Sequence, residues 1–435
     1  MRHASPRLAL AHAAFLAALV GAAGPAAAVP SFSRQTEMSC SACHTSFPQL
    51  TELGRVFKAT GYTLTARRQV TDQQAGRDTL ELARSAPLSA QIIAASTWVR
   101  SPGAGVRTGD VVLPDQLGLF YAGQIAPELG AFAQLTYEAD ADHLTIDNVD
   151  LRYAHELKPG GRSLVVGATL NNNPTVQDLW NTTPAWGWPF VTPGAWPGMG
   201  GNGALVDGAL AQAVVGLSAY GFLDEAVYAE VGLYRSALVG VARPYTVSTP
   251  GLVDNAAPYW RVALQHDFGG HLVEVGAYGL HARIAPGFTT DAPPLPPPGG
   301  AGARDAYDDV ALDAQWQHAG PIATALRGTW IHERRTLDAS APGERPTLDT
   351  VRLSGDATRG WLGVGAGLFR TTSSTSATFG AASSAGTSGA LAELTVTPWE
   401  NTSFRAQYTR YTRLDGTSSG ASGSNAFSLL AWLAF

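Results

Sequence analysis

The chain has 435 residues, a formal charge of −6, 15% charged residues, 48 glycines and only two cysteines. A mildly acidic chain with so few charges offers no basic patch for nucleic acid. Low charge without an apolar stretch long enough for a membrane helix fits a transmembrane β-barrel better than a soluble domain of this size. At the N-terminus, Arg2 and Arg7 precede the apolar run from Leu8 to Val20, which ends in Gly24-Pro25-Ala26-Ala27-Ala28. A charged start, a short apolar region and an A-x-A site predict a secretory signal peptide over residues 1–28, too short to anchor in a membrane. Its removal takes away Arg2 and Arg7 and no acids, so the formal charge moves from −6 to −8.

Both cysteines lie in Cys40-Ser41-Ala42-Cys43-His44. A thioredoxin-like pair needs a βαβ context, which is absent, and zinc needs two further ligands at suitable spacing. Two thioethers to haem vinyl groups need cysteines one helical turn apart, and the next residue then lies under the iron. The string predicts one covalently attached haem c, held by Cys40 and Cys43 with His44 as proximal ligand. Behind it, Ser46-Phe47-Pro48 reads as a helix start. Gln49 to Ala59 places Leu50, Leu53, Val56 and Phe57 on one face, expected against the porphyrin, and Gly61 stops the helix. A module of this size, Pro30 to Leu64, is too small for its own core and must lean on another part of the chain. The predicted division is a signal peptide at 1–28, a monohaem cytochrome c segment at 29–85 and a barrel at 86–435.

From Leu88 onward the texture is short segments with period-two alternation, separated by turn clusters. Val227, Ala229, Val231 and Leu233 oppose Tyr228, Glu230, Gly232 and Tyr234; Trp260, Val262 and Leu264 oppose Arg261, Ala263 and Gln265. One apolar and one polar face is what a barrel wall needs between lipid and lumen. Sixteen such segments begin near residues 88, 117, 131, 145, 163, 209, 225, 256, 272, 305, 321, 346, 358, 388, 402 and 424. Tight turns alternate with longer loops at 171–208, 236–255, 284–304, 334–345 and 372–387, the pattern of outer-membrane barrels with short periplasmic turns. An even strand count with a long first connection puts both chain ends on the periplasmic side. The last strand alternates Phe427, Leu429, Ala431, Leu433 and Phe435, as expected of a signal read by the outer-membrane assembly machinery. The fold class is therefore mainly β: an outer-membrane antiparallel barrel of about 16 strands with a small N-terminal α-helical c-type haem segment. A porin-sized barrel leaves an aqueous lumen unless something fills it, so the haem segment is expected to plug its periplasmic mouth.

The run Phe32 to Thr45, continuing through Leu53-Gly54-Arg55-Val56-Phe57-Lys58 and Gly61-Tyr62-Thr63, resembles the N-terminal cytochrome segment of the fused outer-membrane cytochrome–porins of iron-oxidising bacteria. The resemblance covers the haem segment in sequence detail and the barrel in architecture. It implies a monohaem electron-transfer protein of the iron:cytochrome c oxidoreductase type. Such a protein takes electrons from extracellular Fe(II) or another donor and passes them to a periplasmic cytochrome or copper-protein acceptor.

The distal haem ligand is open at this level. Met38, two residues before Cys40, is read as local packing, whereas Met199, in the glycine-rich run 196–201, would be delivered by a loop folding into the lumen. A histidine would have to come from the barrel, for example His143, His155, His266 or His281. Loop 171–208 carries four of the eleven tryptophans, Trp180, Trp186, Trp188 and Trp196. It is read as a constriction loop folded on its own aromatics, with a lid over the haem as the rival reading. The lumen-facing acids Glu138, Glu230, Asp309 and Asp313 are read as ordinary barrel lining. Three function classes follow: a ferrous-iron oxidising conduit, the same conduit for another donor, and a diffusion porin with a haem plug or sensor.

Overall fold

The computed structural model describes residues 29–64, 71–72, 82–83, 86–102, 108–199, 203–237, 252–286, 299–300, 302–374 and 386–435. The expected signal peptide at 1–28 lies outside these residues. Three short helices come first: α1 (Pro30–Thr36), α2 (Cys40–Cys43) and α3 (Glu52–Ala59). Sixteen barrel strands follow. The first eight are β1 (Leu88–Val99), β2 (Val111–Ala126), β3 (Leu129–Glu138), β4 (His143–Leu157), β5 (Leu164–Asn171), β6 (Val214–Leu223), β7 (Val227–Ser236) and β8 (Ala257–Asp267). The second eight are β9 (His271–Ala285), β10 (Asp305–His318), β11 (Ala323–Leu337), β12 (Thr347–Arg359), β13 (Leu362–Ser373), β14 (Thr387–Trp399), β15 (Thr402–Arg413) and β16 (Ala426–Ala434). Each pairs antiparallel with its sequence neighbours, and β16 closes the barrel on β1. The short strand Leu252–Val253 rides on the outer end of β9.

All sixteen strands expected from alternation are present. The largest boundary differences are β2, which starts at Val111 rather than near 117, and β6, which starts at Val214 rather than near 209. The alternation of turn lengths holds except between β3 and β4, where the outer connection is only 139–142.

The wall is inside out relative to a soluble protein. On β7, Val231 is 65% exposed and Leu233 53%, whereas Glu230 is 2% and Tyr234 0%. On β8, Trp260, Val262 and Leu264 are exposed while Arg261 is fully buried. Apolar side chains therefore face lipid and polar ones face inward, where every backbone group is already paired around the closed sheet. The inward polar residues are buried because the lumen is filled from both ends.

The N-terminal segment fills the tight-turn end, the periplasmic end by the barrel rule. It touches the wall all the way round. On α1, Gln35 donates to the Ala122 carbonyl of β2 (2.9 Å) and Arg34 to the Leu88 carbonyl of β1 (2.5 Å). The Tyr62 hydroxyl donates to Asp150 of β4 (2.6 Å), and Tyr220 of β6 donates to the Ala59 carbonyl (2.5 Å). Arg55 donates to Gln317 of β10 (3.1 Å), and Gln49 to Asp356 of β12 (3.0 Å). Gly130 of β3 is required for this approach, because a Cβ there would stand 2.2 Å from the Gly61 carbonyl oxygen.

The long connection 172–213 folds down from the opposite end. Its Asp178 meets Arg261 of β8 (3.1 Å), Asp207 forms a two-point pair with Arg352 of β12 (2.5 and 2.6 Å), and Trp196 donates to Thr409 of β15 (2.9 Å). The amides of Leu205 and Val206 donate to Glu333 and Asp309 (both 2.7 Å).

Candidate cofactor-attachment site

One helical turn, α2, sets Cys40 and Cys43 on the same side of the chain. Cys40 is buried and Cys43 half-buried, and no disulfide joins them; burial raises the Cys43 thiol above its usual range. The turn is fastened from two directions. The Cys40 amide donates to Glu400, in the tight turn between β14 and β15 (3.1 Å). Thr51 donates through its amide to the Cys43 carbonyl (2.9 Å) and through its hydroxyl to the Ala42 carbonyl (2.7 Å). Helix α3 can lie this close only because residue 54 is glycine: a Cβ there would fall 2.3 Å from the Cys43 carbonyl oxygen.

The helix start expected at Ser46 is not where α3 begins. His44–Ser46 and Gln49–Leu50 form a small hairpin, and the helix starts at Glu52 with Thr51 as its cap, the Gly54 amide donating to the Thr51 hydroxyl (3.2 Å). The hydroxyl at 51 serves both the cap and the Ala42 carbonyl, which outweighs Ser46. The buried side of α3 matches the expected one only in part: Leu50 and Phe57 are buried, Leu53 is 37% exposed, and Arg55 and Lys58 are buried as well. The helix lies in a polar lumen, so its cations face inward.

His44 follows α2 in extended backbone. Its Nδ1 lies 3.2 Å from the Gln49 carbonyl oxygen, and its ring packs on Phe47 at a centroid distance of 4.4 Å. A donor bond from Nδ1 to a carbonyl leaves Nε2 as the free ligating atom. Burial, assisted by Lys58 and opposed by the Gln49 bond, lowers the imidazole to about 4, so the ring is neutral at ordinary pH, as a metal ligand must be. Cys40, Cys43 and His44 line a cavity of about 570 Å³ whose walls include Phe32, Leu50, Phe57, Trp186 and Trp432. That is a ligand-sized, mostly apolar space. A second cavity of about 1130 Å³ shares Cys40, His44, Phe47 and Trp188 and extends along β12 to β15. The thiol pair, the oriented imidazole and the apolar walls together fit a haem c held by Cys40, Cys43 and His44.

The sequence candidates for a distal ligand separate clearly. Met38 and Met199 both line the 570 Å³ cavity with His44. No barrel histidine lines either cavity, which removes His143, His155, His266 and His281 from reach. His155, His266 and His281 project from the lipid-facing side of their strands, where His155 meets Glu128 (2.5 Å) and His281 meets Asp308 (2.6 Å). His143 lies at the outer end of β4. Glu230, Asp309 and Asp313 are barrel lining that anchors the loop, through Gln177 (2.9 Å), the Val206 amide (2.7 Å) and Thr182 (2.5 Å). Glu138 stays exposed at the outer end of β3. Among the described residues no group of three or more His, Cys, Asp or Glu side chains converges on a metal-sized site.

Loop 172–213, expected to fold on its own aromatics, instead packs them on the barrel wall, Trp180 against Phe222 and Tyr228 and Trp186 against Phe132. Its tryptophans pack inward, with Trp180 fully buried and donating to Gln265 (2.7 Å). The loop also docks directly on the N-terminal segment. Lys58 Nζ donates to the carbonyls of Val176 (2.9 Å) and Asp178 (2.6 Å) and to Asn181 Oδ1 (3.0 Å), and lies 4.4 Å above the Trp186 ring. In return, Asn181 donates to the Pro48 carbonyl (2.7 Å). Lys58 is one of only two lysines in the chain, the sole sequence signal for this junction. Burial, followed by the like charge of Arg152, lowers its amine to about 7. Burial acts to raise the Asp178 carboxyl, but Arg261, Lys58 and backbone donors hold it below the usual range.

No protein-family model and no curated protein sequence matches the chain. Among solved structures, the outer membrane channel DcaP of Acinetobacter baumannii aligns with a TM-score of 0.52 at 12% identity, over 80% of this chain and 96% of that one. An anion-selective porin from Comamonas acidovorans aligns at 15% identity with a TM-score of 0.45, over 80% and 98%. At such identities the likeness is one of fold. The chain is a porin-like, sixteen-stranded β-barrel of the bacterial outer membrane.

Proposed function

We propose that this barrel is a monohaem electron-transfer protein that accepts electrons at the outer face and delivers them to a periplasmic carrier. The observation that carries the reading is the convergence of Cys40, Cys43 and the Nδ1-anchored His44 on one apolar cavity inside the barrel. A haem bound there supplies one-electron redox chemistry within an otherwise insulating membrane, its potential set by axial ligands, burial and neighbouring hydrogen bonds. The chain's own part is positional. Gln49 holds the imidazole, Glu400 and Thr51 hold the cysteine turn, and the aromatic walls keep water away. Met199 is the distal-ligand candidate, because loop 172–213 brings it to the same cavity. Extracellular Fe(II) is the proposed donor on the strength of the resemblance in residues 32–63; ferric products are poorly soluble, so importing only the electron leaves them outside.

The test uses the full chain expressed with a cytochrome c maturation system. One haem per chain retained under denaturing conditions is expected, and lost in the Cys40→Ser, Cys43→Ser double variant. Ferrous iron added to intact outer membranes at several pH values is expected to reduce the haem absorbance, and a periplasmic carrier to restore it. A haem that responds to another donor but not to iron moves the function to the non-iron conduit. A second reading, a diffusion porin with a haem plug or sensor, is favoured by the 1130 Å³ cavity beside the segment. Open-porin conductance in planar bilayers, with a haem inert to external donors, would establish it instead.

A further inference from the structure

The lipid-facing side of the barrel carries a regularity that electron transfer does not use. The strands that run outward from the tight turns include β7, β9, β11, β13 and β15. Each of these five carries an arginine within three residues of its outer end: Arg235, Arg283, Arg334, Arg370 and Arg410. Every one is exposed. The neighbours of each are buried lumen residues, among them Tyr234, Ile284, Glu333, Phe369 and Tyr411, so by strand alternation the arginines point to lipid. Among the described residues, no guanidinium of the five has a hydrogen-bond or ion-pair partner.

Two further observations set their depth and their need. Outward aromatic residues, Trp260, Trp330 and Tyr408, lie on the same strands or their neighbours, nearer the middle of the wall. Aromatic girdles mark the boundary of the hydrocarbon region, so the arginines just beyond lie at headgroup level. The acids in the same band are already engaged, Asp308 by His281 (2.6 Å) and Asp349 by His332 (2.9 Å). At the opposite rim Arg162 is paired with Asp224 (2.5 Å), and Arg359 is the exposed arginine at the end of β12. The band is denser on one side: at the outer ends of β1 to β6 the outward residues are mostly apolar, including Trp98, Val111, Leu113, Leu144, Leu170 and Val215, with Arg100 the exposed cation just past β1.

We infer that this arc is a binding surface for the phosphorylated glycolipid of the outer leaflet, with the five arginines holding its phosphate groups. Arginine suits the task, since its planar fork makes two parallel bonds to a phosphate and stays charged at headgroup depth. Anionic lipid attracts such residues in proportion to their number near the surface. A second copy of the chain is disfavoured as occupant, because copies meeting there would oppose arginine to arginine.

The test incorporates the full chain into nanodiscs containing either bisphosphorylated lipid A or its dephosphorylated form. Retention of lipid A after detergent exchange, read by mass spectrometry, is expected to be more than tenfold greater for the phosphorylated form and to fall with salt. Replacing all five arginines by glutamine is expected to abolish the difference, while Lys158→Gln with Arg162→Gln at the opposite rim leaves it intact. Millimolar inorganic phosphate is expected not to displace the lipid; displacement would assign the arc to free phosphate. Equal retention of the two lipid forms by the unaltered protein would overturn the inference even if the five-fold variant fails to fold. Cross-linking of two chains through Arg334→Cys would assign the arc to a self-interface instead.

Discussion

Two pieces of chain fill this barrel, and they are held in different ways. The segment from 29 to 64 enters at the tight-turn end and is fastened by single hydrogen bonds, some neutral, such as Gln35 to the Ala122 carbonyl and Tyr220 to the Ala59 carbonyl, and others with one charged partner, such as Tyr62 to Asp150 and Arg55 to Gln317. Loop 172–213 enters at the other end and is fastened by charges on the wall: Asp178 to Arg261, Asp207 to Arg352, and two backbone amides to Glu333 and Asp309. The difference teaches where the chemistry and the rigidity reside. The segment carries the cofactor motif in its own sequence and borrows a wall. The loop carries no motif and is made into a lumen core by charges that lie on distant strands.

The largest test of that contrast is Arg261→Met. The guanidinium lies 2.8 Å from Asp313, 3.1 Å from Asp178 and 3.3 Å from Glu274, all with fully buried side chains. Removing one partner of a buried charge network costs about 3–5 kcal/mol, because the remaining charges lose their compensation. The barrel wall itself is held by its ladders, so loop docking should suffer first. The expected result is rapid proteolytic cutting within 175–188 while the heat-modifiable mobility of the folded barrel persists. Protection equal to that of the unaltered chain would show that charge does not hold the loop.

How much of this was legible follows the same division. Period-two alternation exposes the strands because lipid on one side and lumen on the other act on every residue of the wall, and all sixteen are found. Cys40 to His44 stands out in the sequence because its members are adjacent, and one helical turn suffices to bring the two cysteines to the same side of the chain. The pairing of Asp178 with Arg261 is not legible, since closure of the barrel and not sequence spacing brings them together. The face of α3 is legible in part for a related reason: Leu50 and Phe57 are buried, but Leu53 suggests an apolar contact it does not make, while Arg55 and Lys58 reach polar partners on the wall and the loop. The barrel histidines mislead likewise, because a histidine on a strand reads the same whether it faces the lumen or, like His155 and His281, the lipid interface.

Lys58 is where the two fillers meet, and Lys58→Met sharpens the comparison at smaller cost. It leaves the carbonyls of Val176 and Asp178 and the Asn181 amide oxygen without their donor, worth about 2–3 kcal/mol for buried acceptors. Amide hydrogen exchange at 176–182 is expected to speed up in the variant and to stay unchanged on β1 to β4. The pH dependence has a definite sign. With the folded amine lowered to about 7 and the unfolded amine near 10.4, the unfolded chain binds more protons between those values. Stability therefore rises with pH from about 7 to about 10, and the methionine variant lacks that rise.

The smallest effect is expected at Glu400, a carboxylate that grips the cysteine turn. Its Oε2 accepts from the Cys40 amide at 3.1 Å, from a tight turn on the periplasmic side. Glu400→Gln keeps an acceptor of the same shape and removes only the charge, which lowers a charge-assisted bond to a neutral one and costs about 1 kcal/mol. The barrel gains nothing from this bond that its ladders do not already supply. Any change should therefore be confined to the segment, seen as faster exchange of the Cys40 amide with the thermal midpoint of the barrel unaltered. A fall in that midpoint would mean that the segment stabilises the wall, reversing the direction of support argued for it. Both fillers would then belong with the wall to one core.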